Sequence, residues 1–260
     1  MIGGFMLYLI GVGLADGDVP VAALDACKRC TLYADTYTSL MNERRIAYLE
    51  ALLSKKITEL KRSDMEENAP ALVKRAASED IAVLVGGDPL TATTHKILFI
   101  EARKAGVSVK IMHASSILSV IIGESGLDFY RFGAVCTVPR WSEKYRPVSF
   151  YETIERNSRS NLHSIVLLDY DAEKGSSIPL QEALDVFWEA ELHYRHGIIA
   201  NERKIFVMHD LGRDGQSVLV LGFGEAKALK LNNGVTSIIV PAEITDVERE
   251  TVAGMHGVKA

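Results

Sequence analysis

Short apolar runs alternate with helically spaced apolar residues through the first half of the chain. Residues 7–12, 32–34, 57–60, 81–85 and 107–112 read as strands. Between them, residues 19–30, 43–53, 65–77 and about 93–104 carry helical patterns, the last stopped by Gly106. Strictly alternating strands and helices predict a mostly parallel sheet covered on both faces.

The second half is patterned differently. An apolar run over 117–122 leads into a stretch rich in Gly, Phe and Tyr at 123–133, then a strand at 135–138 and a loop at 139–147. A helix over 149–157, a strand over 164–168 and a long helix over 180–196 follow. Only about nine residues separate strands at 205–208 and 218–221, which favours an antiparallel pair over a crossover. A strand at 237–240 and a helix from Thr245 close the chain. The expected architecture is two α/β domains, 1–115 with a mostly parallel sheet and 116–260 with a mixed sheet.

Composition narrows the class. The chain has 260 residues, 48% of them hydrophobic and 24% charged, as in an ordinary folded protein. A net charge of −5 argues against a general nucleic-acid binder. Three cysteines, Cys27, Cys30 and Cys136, are too few for a disulfide framework and suit a reducing compartment. The apolar stretch at 6–12 has no basic residue before it and falls well short of the roughly 20 residues of a membrane span. It reads as a buried strand, so no membrane partner and a cytoplasmic location are expected.

Candidate chemistry gathers where strands end. Gly86 and Gly87 follow the strand at 81–85, and two glycines there let a ligand come close to the backbone. Asp88 and Pro89 fit a helix N-cap and first helical position, which would aim free amide donors at the same spot. Gly11-Val12-Gly13 after the first strand starts like a dinucleotide fingerprint, but Asp16 stands where its third glycine belongs. His113 ends another strand. The strand ends at Gly13, Gly87 and His113 are expected to converge on one crevice.

Other matches weigh less. Cys27-Lys28-Arg29-Cys30 closes a helix and has no second pair to complete a zinc site, so two core cysteines are the better reading. Gly123-Glu124-Ser125-Gly126 misses the nucleophile-elbow pattern by one residue. His193 and His196 share a helix face without a carboxylate in register, and no metal is expected.

Several of these segments together carry a resemblance. They are Met6 to Leu14, Tyr37-Thr38-Ser39, Gly87-Asp88-Pro89-Leu90-Thr91-Ala92-Thr93-Thr94-His95, His113-Ala114-Ser115-Ser116-Ile117, Tyr130-Arg131-Phe132-Gly133 and His163 with Leu167-Leu168-Asp169. The chain resembles the diphthine synthase branch of the tetrapyrrole-methylase-like family from Met6 almost to its end, with residues 1–5 like a leader. The resemblance implies a two-domain homodimer that binds S-adenosyl-L-methionine between domains. It also implies methylation of a 3-amino-3-carboxypropyl-histidine on translation elongation factor 2. Carried over by motif, the cofactor contacts are Leu14, Asp88, Thr91, Ser116, Ile117 and Leu168, with Leu211 and Thr236 from a less closely matching region. There the family usually has Arg-Ala-Gly where this chain reads Asp210-Leu211-Gly212, and a histidine where Thr236 stands. The short connection between Asp169 and Leu180 is similar to that of archaeal members, which implies three methyl transfers to the amine. A corrin or ribosomal RNA methylase, a binding-only module and a nicotinamide oxidoreductase stay open as alternatives. Tyr37 could offer an aromatic face to the growing ammonium or could only pack.

Overall fold

The computed structural model describes residues 4–37, 41–171 and 174–257. The chain divides into two compact units, the first running to Ile117 and the second from Leu118 to Asp171 and from Gly175 onward.

In the first unit the elements are β1 (Met6–Gly11), α1 (Val21–Cys27), β2 (Thr31–Asp35), α2 (Glu43–Leu53), β3 (Ile57–Leu60), α3 (Arg62–Glu66), α4 (Ala69–Ala76), β4 (Ile81–Val85), α5 (Lys96–Lys104) and β5 (Ser108–Met112). The strands form one sheet in the order β3-β2-β4-β1-β5, and every pairing is parallel. Alternation along the strands explains why both faces are apolar. Tyr8, Ile10, Leu32, Ala34, Ala82 and Leu84 face a core with Ala23, Cys27, Ile46 and Leu49. Leu7, Leu9, Tyr33, Ile81, Val83 and Val85 face a second core with Leu72, Val73, Leu98 and Ala102. A sheet buried on both sides has no room for the polar alternation of an exposed sheet.

Three helix boundaries differ from the sequence pattern. The pattern over 19–30 yields a shorter helix, α1, which begins after Pro20 and is preceded by a 3-10 turn at Asp16–Asp18. The pattern over 65–77 is two helices, because Pro70 lies in the first turn of α4 and lacks the N–H that a continuous helix would need. The helix expected at about 93–104 begins only at Lys96. Ala92 ahead of it has φ +54°, a left-handed conformation that interrupts helical winding. Its end is as read: Gly106, at φ +70°, follows the cap at Ala105.

The apolar run that opens the second half is a helix, α6 (Ile117–Ser125), in which only Ile121 and Ser125 are fully buried. Beyond it come β6 (Cys136–Val138), α7 (Ser149–Arg159), β7 (Ser164–Leu168), β8 (Tyr170–Asp171), β9 (Ser176–Ser177), α8 (Leu180–Tyr194), β10 (Lys204–His209), β11 (Ser217–Gly222), α9 (Phe223–Ala226), β12 (Thr236–Val240) and α10 (Asp246–His256). The main sheet has the order β11-β10-β12-β7-β6, and β8 and β9 form a separate antiparallel pair. Only β6 and β7 run parallel; β10 pairs antiparallel with both β11 and β12, as does β12 with β7. The sheet is mixed, and the hairpin read from the short spacing is present. Phe150, Ile154, Leu184 and Phe187 of α7 and α8 pack on Val138, Val166, Val207 and Ile238, each large apolar side chain contributing about 1.5–3 kcal/mol by burial.

Candidate functional site

In the first unit β1 lies between β4 and β5, with Gly11 opposite Val85 and Ile10 opposite Met112. Being parallel, the three strands send their following loops off the same sheet edge, where ligands bind in α/β sheets. The loops meet there through specific bonds. Gly13 N–H donates to Gly87 O at 3.2 Å, and Gly87 N–H to Gly13 O at 2.8 Å. Both glycines have positive φ, +71° and +76°, and a Cβ on Gly13 would fall 2.2 Å from Asp18 Cβ. The Gly13 and Gly87 amides are thus taken up by each other's carbonyls, and it is Gly11 that admits the Gly87 carbonyl, from which a Cβ would lie only 2.6 Å.

Asp88 also departs from its expected part. It caps no helix, since the residue before α5 is His95. Its Oδ1 instead accepts the Leu90 N–H at 3.0 Å and the Thr91 hydroxyl at 3.1 Å, closing a tight side-chain turn ahead of the left-handed Ala92. Its Oδ2 lies 2.6 Å from His113 Nδ1, which ties the Gly-Asp-Pro loop to the segment after β5. Burial pushes the Asp88 carboxyl up, but bonds from Leu90, His113 and Thr91 outweigh it and hold the group below its ordinary range. Asp88 is therefore an anion at neutral pH.

Two residues that sequence reasoning missed hold the β1 loop. Asp18 Oδ2 accepts the amides of Leu14 and Ala15 at 3.0 and 3.1 Å and the Ser115 hydroxyl at 3.0 Å. From the other side the buried guanidinium of Arg45 donates to four successive carbonyls. Its Nη1 reaches Leu14 O at 2.6 Å; its Nη2 reaches Val12, Gly13 and Ala15 at 2.7, 3.0 and 2.8 Å. One sequence feature could have flagged it: Arg45 and Leu49 share the buried stripe of α2, where an arginine needs a partner. Below the loops, His95 Nε2 lies 3.1 Å from Asp35 Oδ2, and both side chains are fully buried. Tyr37 is half-buried with its hydroxyl 3.1 Å from Thr94 Oγ1; Thr38 and Ser39 of that motif lie outside the described residues.

Leu14, Asp88, Thr91, Ser116 and Ile117 thus fall on these joined segments of the first unit. Leu168, Leu211 and Thr236 belong to the second, where they too share one sheet edge. Leu168 ends β7, Leu211 follows β10 and Thr236 begins β12, and the register pairs His209 with Thr236 and Leu167 with Ser237. All three side chains are buried. Where the family has a histidine, Thr236 Oγ1 lies 2.9 Å from Nδ1 of the buried His209, an imidazole from the neighbouring strand that sequence reasoning also missed. Asp210 takes φ +46° in the turn after β10, and its Oδ1 accepts the Val235 N–H at 2.9 Å.

The remaining sequence matches have structural explanations. Cys27 and Cys30 are buried in the first core, and burial pushes their thiols up to about 12 and about 11. Ser125 is buried and bonds to Ile122 O and Leu127 N. His196 lies beyond the end of α8, because Arg195 turns left-handed at φ +56°; it pairs with Glu155 at 2.8 Å, not with His193. Among the described residues no cluster of three or more His, Cys, Asp or Glu could hold a metal ion.

The sequence profile of the tetrapyrrole (corrin/porphyrin) methylases matches residues 6–227. The diphthine synthase of Methanothermobacter thermautotrophicus is 32% identical over 254 residues, 97% of this chain and 96% of the relative. The diphthine methyl ester synthase of Mus musculus is 37% identical over 173 residues, 66% of this chain and 61% of the relative. A solved diphthine synthase superimposes with a TM-score of 0.85 at 27% identity, covering 96% of this chain and 95% of that one. The profile match takes in both glycine loops, the Asp88 turn, Leu168 and Leu211, and the chain belongs to the tetrapyrrole (corrin/porphyrin) methylase family.

Proposed function

We propose that this protein is a diphthine synthase: an S-adenosyl-L-methionine-dependent N-methyltransferase that trimethylates the 3-amino-3-carboxypropyl-histidine of translation elongation factor 2. The carrying observation is the match to relatives of that name along nearly the whole chain, with the motif residues on the sheet edges where this family's loops gather. Archaeal diphthine synthases match over 95–97% of the chain, whereas the mouse methyl ester synthase aligns over 66%. That contrast, with the short β8–β9 connection, supports three transfers to nitrogen without a fourth to a carboxylate.

The residues present suit the methyl donor chemically. In the first unit Leu14 and Ile117 offer apolar side chains suited to an adenine. Thr91 and Ser116 of the same unit, with the surrounding backbone, offer hydroxyls, amides and carbonyls for the ribose and the amino-acid end. When bound, the donor supplies a methyl group already activated on sulfonium, so no protein nucleophile is required. The chain's contribution is alignment: Arg45 and Asp18 fix the Leu14 loop, and the Asp88–His113 contact fixes the loops after β4 and β5. Asp88 has both oxygens engaged in this work, which fits a binding role better than proton transfer.

The product is then S-adenosyl-L-homocysteine. The apolar, incompletely buried α6 supports the expected homodimer, and no helix among the described residues is long and apolar enough to cross a membrane. Cytoplasmic placement rests on the elongation-factor substrate.

The deciding experiment incubates the protein with labelled methyl donor and elongation factor 2 bearing the unmethylated precursor. Label should enter the factor until its mass has risen by three methyl groups. Label entering a corrin or ribosomal RNA instead, or no turnover despite donor binding, would overturn the assignment. Asp88→Ala should weaken S-adenosyl-L-homocysteine binding at least about tenfold, or about 1.4 kcal/mol, by calorimetry. Unchanged affinity would remove Asp88 from the cofactor site.

A further inference from the structure

The second unit contains a cavity of about 680 Å³ at the sheet edge opposite Leu168 and Thr236. Its walls come from the end of α7, the start of β10 and the segment joining β12 to α10. The five residues of β12 put roughly 16 Å between the two edges. This is therefore a different place from the three second-unit positions assigned to the methyl donor.

Its charge is unbalanced. Arg203, Lys204 and Arg249 line it, against the single carboxylate of Glu243. The Ser158 hydroxyl and the Asn161 side-chain amide add neutral donors. Lys204 stands 3.9 Å from the exposed Glu225, and Arg249 donates to Ile244 O at 3.2 Å. Arg203 is the telling residue. Its side chain is half-buried, desolvation pushes its pKa down, and its Nη2 donates to Pro241 O at 2.7 Å. Among the described residues no carboxylate pairs with it. A partly desolvated cation whose guanidinium contacts a single neutral carbonyl is under-paired, and an oxyanion in the cavity would supply the opposite charge with paired hydrogen bonds.

We propose that this cavity is an anion site, taking a phosphate or carboxylate group of a ligand through Arg203, with Lys204 and Arg249 at its rim. The site does not depend on the methyl-transfer assignment.

The full-length protein is titrated at constant ionic strength with inorganic phosphate and, separately, with an acetylated tetraglutamate peptide. Binding is followed by calorimetry. At least one probe should saturate below about 10 mM, as a few charge-assisted contacts support. Saturation by phosphate alone assigns a phosphorylated ligand; saturation by the peptide alone assigns a polypeptide carboxylate. Arg203→Gln should weaken the bound probe at least tenfold, while affinity for S-adenosyl-L-homocysteine stays within twofold. Should Arg203→Gln fail to fold, the surface pair Lys204→Gln/Arg249→Gln decides, with at least a threefold loss expected. No saturation by either probe, or wild-type affinity in the folded variants, overturns the proposal.

Discussion

Two arginines with little solvent exposure, one in each unit, are held in opposite ways. Arg45 gives its hydrogen bonds to backbone carbonyls of residues 12–15. Arg131 is held by the carboxylate of Glu248, and donates as well to Asn161 and to Glu243 O at 2.7 Å. Glu248 in turn accepts the amides of Asp128 and Thr245 and lies 2.9 Å from Nε2 of the fully buried His163. His163 Nδ1 accepts the Ala242 N–H at 3.0 Å, so Nε2 carries the proton, and burial keeps the imidazole neutral by lowering its pKa. The Arg131 network clamps three chain segments through charge pairing and serves the fold. The Arg45 network shapes one stretch of backbone and serves the site. A guanidinium met by a carboxylate locks elements together; one met by successive carbonyls dictates a loop's path.

Breaking the clamp should produce the largest effect. Glu248→Ala leaves Arg131 buried without its counter-charge and should cost about 3–5 kcal/mol of stability by denaturant unfolding. Donor affinity of the folded fraction should stay unchanged; lost affinity with intact stability would erase the contrast. The same carboxylate makes a pH prediction. Burial raises its pKa, but the hydrogen bonds it accepts prevail and bring it to about 2, below the ordinary glutamate value. A depressed acid contributes stability that is complete above its unfolded pKa and drains away as pH falls towards the folded one. Wild-type stability should therefore fall between about pH 4.5 and 2, and Glu248→Gln should show a shallower slope there.

Loosening the loop comes next. Arg45→Lys keeps the charge but cannot fork across four carbonyls, so S-adenosyl-L-homocysteine binding should weaken about tenfold. Stability should fall by only about 1–2 kcal/mol, as hydrogen bonds to a charged group are lost. A stability loss as large as that of Glu248→Ala, with affinity retained, would make Arg45 a second clamp. The smallest effect is expected at Thr236→Val, which removes the hydroxyl beside His209 and should cost about 1 kcal/mol or less in affinity. A hundredfold loss would move the main binding determinants from the first unit to the second.

Much of this was legible beforehand. The parallel sheet followed from the alternation of strands with helices, and the β10–β11 hairpin from its short spacing. The convergence of Gly13, Gly87 and His113 followed from the rule that parallel strands deliver their C-terminal loops to one edge. The errors were local. Asp88 reads as a helix cap because Asp-Pro is a common way to open a helix, yet the left-handed Ala92 postpones the helix to Lys96. What the first loop's glycines make room for is equally unreadable from the sequence: Gly13 accommodates the Asp18 side chain and Gly11 the Gly87 carbonyl.

The sequence by itself determined the order of elements, the parallel and mixed character of the two sheets, and which strand ends of the first unit share one edge. Periodicity and glycine placement act over a few residues and are written directly in the chain. Only the tertiary structure decided which groups meet: Gly13 with Gly87, Asp88 with His113, Arg45 with the carbonyls of 12–15, His209 with Thr236. Those partners lie tens of residues apart. Their pairing depends on strand order and on the need to satisfy buried polar groups, neither of which leaves a local pattern.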